Sequence, residues 1–303
     1  MRGRRRRNTS GMRLSLCLGV LVALLAGCGG SGSGSGGGDG IPRLAFGYDA
    51  SQPLGFRDRG VVAHEGKVAV HDVSFLSGGR TIEGYLLVPD GAKRLPGVVV
   101  VHGSGGDRRE LIVEAAALAA RGTVTLTVTE PSTTPPAPAA TKVGLIRQQR
   151  DLVVGDVVAV RRAVDLLRTL PWVDPARIGY LGWSAGARLG TFVAAAEPHV
   201  KALVLLSAGA DPIASFVAQA PKALQAEVRT DLGSVDPLRY IGRARGAVLL
   251  EDGTRDEVVP QAALLNMAHA APKGTPLHWY PTGHSLSSKA YTDAFAWLLQ
   301  KLA

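Results

Sequence analysis

Gly182-Trp183-Ser184-Ala185-Gly186 is the stretch on which the fold turns. Before it, Arg177-Ile178-Gly179-Tyr180-Leu181 reads as a short buried strand. After it, Ala185 to Ala196 is alanine-rich, free of proline and reads as a helix. The serine therefore falls at a tight strand-to-helix turn. Gly182 and Gly186 let that turn close without a Cβ clash, and the helix N-terminus aims its free N–H groups at the serine. Glycine is abundant, 38 of 303 residues, so the bare Gly-x-Ser-x-Gly spacing carries little by itself. The strand before it and the helix after it make it specific.

A serine hydroxyl is a poor nucleophile at neutral pH. It needs an imidazole to take its proton and a carboxylate to orient that imidazole. Both follow in the chain. Asp256 lies in the loop after an apolar strand, Ala247 to Leu250. Glu251, Asp252 and Glu257 compete for the same role; Asp252 ends the strand and is equally placed to cap a turn. Loop position, together with the resemblance given below, favours Asp256. His284 follows the strand Leu277 to Tyr280 and precedes a helix that runs to the C-terminus. Upstream, Val98-Val99-Val100-Val101 reads as a strand buried on both faces, and His102-Gly103-Ser104-Gly105-Gly106 follows it. Such a glycine loop can turn backbone N–H groups toward a tetrahedral oxyanion, at roughly 3 kcal/mol per donor. The expected donors are the amides of Ala185 and Ser104, with Gly103 as the alternative to Ser104. His102 reads as a brace for the loop rather than a proton carrier. The loop lacks the Gly-Lys-Ser/Thr ending of a phosphate-cradling P-loop.

His102 to Gly106, Gly182 to Gly186, Asp256 and His284, in that order, resemble the α/β-hydrolase superfamily. The resemblance is to its dienelactone hydrolase and acyl-peptidase-like esterases, and it runs from roughly Val68 to the C-terminus. It implies a mostly parallel central sheet with helices on both faces. Dienelactone hydrolases proper carry a cysteine nucleophile where this chain has Ser184. The resemblance therefore implies a serine esterase with a small-molecule ester substrate and neither cofactor nor metal. A peptidase or perhydrolase on the same scaffold, and an inert lipid-anchored binding protein, are the alternatives.

The remaining pattern alternates strands and helices. Val68 to Leu76 and Thr81 to Val88 read as an antiparallel pair, and Thr123 to Thr129 as a further strand. Asp107 to Arg121 reads as an amphipathic helix with Asp107 as N-cap. Leu145 to Leu170 reads as a long helix with Asp156 and Asp165 on its exposed side, and Ala202 to Leu206 as a strand. Pro131 to Thr141 holds four prolines and is excluded from regular structure; it is either a pocket rim or plain surface loop. Residues 210–246 form a small cap insertion, helical from Asp211 to Ala226. Ile213, Phe216, Val217 and Leu224 either line an acyl pocket or pack on the core. Trp183 either borders that pocket or anchors the turn.

The N-terminus addresses location. Six arginines precede an apolar run, Leu14 to Ala26, too short to span a bilayer. Leu25-Ala26-Gly27-Cys28 resembles the bacterial lipobox, which implies a signal peptide over 1–27, cleavage before Cys28 and diacylation of its thiol. Either Met1 or Met12 starts that signal. Residues 28–40 read as a Gly/Ser tether and 41–303 as the folded domain. The expected site is the bacterial cell envelope, outside the cytoplasm. Losing the six leader arginines takes the formal charge from +9 to +3, which removes the case for nucleic-acid binding. Arg108-Arg109 and Arg161-Arg162 read as solvated helix faces. The two cysteines, Cys17 and Cys28, both precede the domain, so no disulfide or thiol metal site is expected in it. Nothing in the sequence fixes an oligomeric state.

Overall fold

The computed structural model describes residues 46–303; the leader, Cys28 and the Gly/Ser tract lie outside the described residues. The valine run sets the layering. In β4 (Leu95–Val101), Val98 and Val100 point to one face of the sheet and Val99 and Val101 to the other. None of the four is more than 2% exposed, so both faces of this strand are dry. Each such side chain contributes about 1.5–3 kcal/mol on burial, and helices must cover both sides.

The described residues form one nine-stranded sheet. An antiparallel meander, β1 (Arg57–Glu65), β2 (Val68–Ser77) and β3 (Arg80–Pro89), leads into it, and β3 pairs antiparallel with β5 (Val124–Val128). From β5 the order runs β4, β6 (Val173–Trp183), β7 (Val200–Leu206), β8 (Ala247–Gly253) and β9 (Leu277–Tyr280), all parallel. On one face lie α1 (Ile112–Ala119) and, from the C-terminus, the helix Ser288–Leu302. On the other lie α2 (Lys142–Thr169) and α3 (Ala185–Ala196). α1 links β4 to β5 and α2 links β5 to β6, so the strand order reverses at β4. A crevice opens there, beyond the carboxyl ends of the strands. His102, Glu130, Ser184, Ser207, Asp256 and His284 all follow strands at that edge.

Several local expectations are corrected. The helix expected over Asp107–Arg121 is only α1; residues 107–111 form turns, and Asp107 Oδ1 accepts the Arg109 N–H at 2.8 Å instead of capping a helix. Asp156 and Asp165 are not on an open face of α2. Asp156 is 7% exposed, and Asp165 Oδ2 accepts the Tyr48 hydroxyl at 2.8 Å. The Arg161-Arg162 pair also faces inward. Arg161 donates to the Phe46 carbonyl and to Glu197, and Arg162, 3% exposed, donates to the Gln52 carbonyl and Asp165. For Asp165, Arg161 and Arg162 the physical reason is shared: the segment from Phe46 to Gln52 lies across α2 and turns a polar outer face into a polar interface. Asp156 instead faces the proline-rich loop, where its Oδ1 accepts the Ser132 N–H at 2.9 Å. Arg108 likewise reaches Asp72, Glu83 and the Gly84 carbonyl, whereas Arg109 is exposed.

Residues 210–246 fold over the crevice. α4 (Ile213–Gln219) stops before Pro221, short turns occupy 222–235, and α5 (Pro237–Ile241) starts from the Asp236 cap. Val217 and Leu224 pack with Val228, Leu232 and Ile146 of α2 in a small separate core. Ile213 and Phe216 face the cavity. The remaining helices are α6 (Gln261–Ala270) and α7, the C-terminal helix named above. Among the described residues no helix is long and apolar enough to cross a membrane.

Candidate active site

The turn at the end of β6 is held against its own backbone preference. Ser184 has φ +55° and ψ −112°, a conformation that costs a non-glycine residue about 1–3 kcal/mol. Surrounding bonds impose it. The Ser184 N–H donates to the Leu206 carbonyl at 2.8 Å, and the Gly186 N–H to the His102 carbonyl at 3.0 Å. The buried Tyr180 hydroxyl donates to the Gly186 carbonyl at 2.6 Å. The flanking glycines are steric necessities. A Cβ on Gly182 would lie 2.6 Å from the Gly186 backbone, and one on Gly186 would lie 2.4 Å from the Val101 carbonyl oxygen. The turn thereby pushes the Ser184 hydroxyl out of the backbone and into the crevice.

Ser184, His284 and Asp256 meet there. His284 Nε2 lies 2.8 Å from Ser184 Oγ, and His284 Nδ1 lies 2.8 Å from Asp256 Oδ2. The other Asp256 oxygen accepts the Val258 and Val259 N–H groups, each at 2.8 Å, so the carboxylate is fully used and its side chain is 1% exposed. The competing carboxylates serve elsewhere. Glu251 accepts the Tyr280 hydroxyl at 3.2 Å, Asp252 is buried and bonded by the Ala208 N–H, and Glu257 is exposed. Burial pushes Asp252 up to about 7, with the nearby charge of Asp256 adding to it. The His284 carbonyl accepts both the Trp183 indole N–H at 3.1 Å and the Ser207 hydroxyl at 2.9 Å. Trp183 thus anchors the histidine loop and also borders the cavity.

The loop after β4 separates the two expected donors. The Gly103 N–H donates to Glu110 Oε2 at 2.9 Å, which removes Gly103 as a candidate oxyanion donor. The N–H groups of Ser104 and Ala185 have no acceptor among the described residues. His102 Nδ1 is 2.6 Å from the Gly103 carbonyl oxygen, and His102 Nε2 forms an ion pair with Glu130. The cavity in front of Ser184 measures about 800 Å³. Leu189, Phe192, Ile213, Phe216 and Leu232 give it an apolar wall, and Ser132, Thr133 and Pro135 of the proline-rich loop form part of its rim. Among the described residues no group of three His, Cys, Asp or Glu side chains could hold a metal ion.

Three polar residues at this site, Glu110, Glu130 and Ser207, escaped the sequence reading, and a fourth, Asp156, was expected on an exposed face. Glu130 and Ser207 follow strands at the same edge as the residues that were found, and that position is a usable signal. Glu110 and Asp156 sit in a turn and mid-helix and carry none.

A family model for the dienelactone hydrolase family matches residues 82–294. No curated protein matches the sequence. Among solved structures, acetyl xylan esterase 1 from Thermoanaerobacterium sp. JW/SL YS485 is similar, with a TM-score of 0.69 at 18% identity over 84% of this chain and 90% of that one. An acetyl xylan esterase from Paenibacillus sp. R4 gives 0.67 at 17% identity, covering 83% and 90%. An acylaminoacyl peptidase from Pyrococcus horikoshii gives 0.62 at 16% identity; the match covers 78% of this chain but 42% of that one.

The contact at Gly186 makes a direct prediction. Gly186→Ala forces α3 away from the end of β4, costing about 1–3 kcal/mol of stability. It displaces Ser184 from His284 and lowers kcat by at least about tenfold. Chemical denaturation and ester turnover measure the two effects. An alanine variant with wild-type stability and rate contradicts the packing described.

Proposed function

From a chain that belongs to the dienelactone hydrolase family, and is thereby a carboxylic ester hydrolase, we propose a serine acyl-enzyme mechanism carried by Ser184, His284 and Asp256. The observation that supports it is the continuous line of hydrogen bonds from Ser184 Oγ through both ring nitrogens of His284 to Asp256. His284 Nε2 takes the Ser184 proton as Oγ attacks the ester carbonyl carbon. The oxyanion is held by the N–H groups of Ser104 and Ala185, the second at the N-terminus of α3. The ester C–O bond then breaks, and His284 returns the proton to the departing alcohol. Water enters, gives a proton to His284 and attacks the acyl carbon, and Ser184 leaves with its proton restored. Asp256 keeps the imidazole in one orientation and stabilises its charged form. No step calls for a metal or an organic cofactor.

The cap suggests the acyl side: Ile213 and Phe216 from α4 form one apolar wall of the cavity, against which an acyl chain can pack. Acetyl esters, the substrates named for two of the similar structures, are the first to test. The acylaminoacyl peptidase likeness makes amide cleavage the second reading. Faster turnover of a peptide anilide than of an acetate ester would favour it.

The leader adds a location. Cys28, at the end of the lipobox-like Leu25-Ala26-Gly27-Cys28, is the proposed lipid attachment, with the domain held outside a bacterial membrane on the tether of residues 28–40. Two acyl chains anchor far better than one, at about 0.8 kcal/mol per buried methylene.

Two experiments check these assignments. Ser184→Ala should lower kcat for p-nitrophenyl acetate by at least about 10⁴-fold while leaving the thermal melt unchanged; undiminished turnover would rule out the serine mechanism. Cys28→Ser should move the protein out of the membrane fraction of expressing bacteria. Retention there at the wild-type level would remove the lipid anchor from the account.

A further inference from the structure

The peptide unit joining Gly103 to Ser104 is gripped by side chains on both sides. The Gly103 N–H, just before it, donates to Glu110 Oε2 at 2.9 Å. The Gly103 carbonyl oxygen accepts His102 Nδ1 at 2.6 Å and the Gly106 N–H at 3.2 Å. His102 is 6% exposed, and its other ring nitrogen is paired with Glu130, which is 5% exposed. The loop glycines make room for this grip. A Cβ on Gly106 would lie 2.3 Å from Glu110 Oε2 and 3.0 Å from His102 Nδ1.

In a trans peptide the carbonyl and the following N–H point in opposite directions within one plane. A donor fixed on the Gly103 carbonyl therefore fixes the direction of the Ser104 N–H. It also polarises that N–H, because hydrogen bonds in a chain strengthen one another. We propose that His102 and Glu130, with Glu110, are positioning residues that aim and polarise the Ser104 N–H toward the oxyanion formed at Ser184. The inference rests on the acyl-enzyme reading above.

The charge state suits the role. Burial works against a charge on His102, but the contact with and charge of Glu130, the Gly103 carbonyl and Glu110 outweigh it and raise its pKa to about 9. At neutral pH the ring therefore carries a charge, with Nδ1 donating to the Gly103 carbonyl and Nε2 ion-paired with Glu130. The other groups facing this cluster are Asp156 of α2 and Asp107 in the turns before α1. Asp156 is pushed up to about 7 by burial and then by the charge of Glu130, and its Oδ1 accepts the Ser132 N–H at 2.9 Å. The Asp107 carboxyl is held below its usual range, mainly by Arg109, with His102 adding to it.

The test uses His102→Leu, His102→Asn and Glu130→Gln, assayed with p-nitrophenyl acetate and with an alkylboronic acid. The boronic acid adds to the serine and places an anionic oxygen where the oxyanion forms. His102→Leu should lower kcat by about 10²-fold with KM within about threefold, and weaken boronate binding by the same factor. Asparagine keeps a donor near the Nδ1 position, so His102→Asn should recover at least about tenfold of that loss. Glu130→Gln should fall between wild type and His102→Leu in both readouts. If His102→Leu does not fold, His102→Asn and Glu130→Gln decide the matter by the same parallel loss. An unchanged kcat, or a loss of kcat without matching loss of boronate affinity, overturns the positioning role. Ser184→Ala, run alongside, separates the two failures: turnover in that variant removes the acyl-enzyme reading itself, whereas an inert Ser184→Ala beside unaffected His102 and Glu130 variants removes only the positioning inference.

Discussion

The contact between Gly186 and the end of β4 is the constraint on which the rest depends. The first turn of α3 touches the carbonyls of Val101 and His102 so closely that no side chain fits between them. That contact closes the turn, forces Ser184 into a left-handed conformation and sets its hydroxyl in the crevice. It also ties the turn carrying Ser184 to the loop that carries Ser104, because the Gly186 N–H donates to the His102 carbonyl. The proposed nucleophile and the proposed oxyanion donors are thus parts of one unit rather than two loops that must find each other.

Around this unit the fold spends several buried charges. Asp256 is neutralised by two backbone N–H groups and His284, and Glu130 by His102. A buried charge left without such partners is strongly destabilising, so each partner is needed for the other. The same logic places Trp183 and Ser207 on the His284 carbonyl. The histidine is held at both its ring and its backbone, from β6, β7 and the loop after β8. The cap then covers the crevice with a small core of its own, against which Ile213 and Phe216 pack while also facing the cavity.

Much of this was legible in the residues. The valine run, the Gly-x-Ser-x-Gly turn, the alanine-rich helix and the loop positions of Asp256 and His284 are local signals, because each element's pattern depends on its own face and ends. What was not legible depends on distant chain segments. Asp165, Arg161 and Arg162 look like a solvent face until the segment from Phe46 to Gln52 is laid across them, and Asp156 until the loop carrying Ser132 is. β1 lacks an alternating apolar pattern because both of its faces are exposed; it is a strand only through its pairing with β2. The choice between Gly103 and Ser104 turns on Glu110, whose carboxylate folds back from seven residues downstream. The helix expected from Asp211 to Ala226 breaks at Pro221, a residue that cannot continue a helix.

The central claim is that Ser184 is an activated nucleophile. The most direct measurement is intact-protein and peptide mass spectrometry after exposure to a fluorophosphonate. The account predicts a single phosphonyl adduct, on the peptide containing Ser184, formed rapidly in the wild type and lost when His284 is replaced by alanine. No adduct, an adduct on another residue, or labelling of Ser184 that is indifferent to His284 would contradict it.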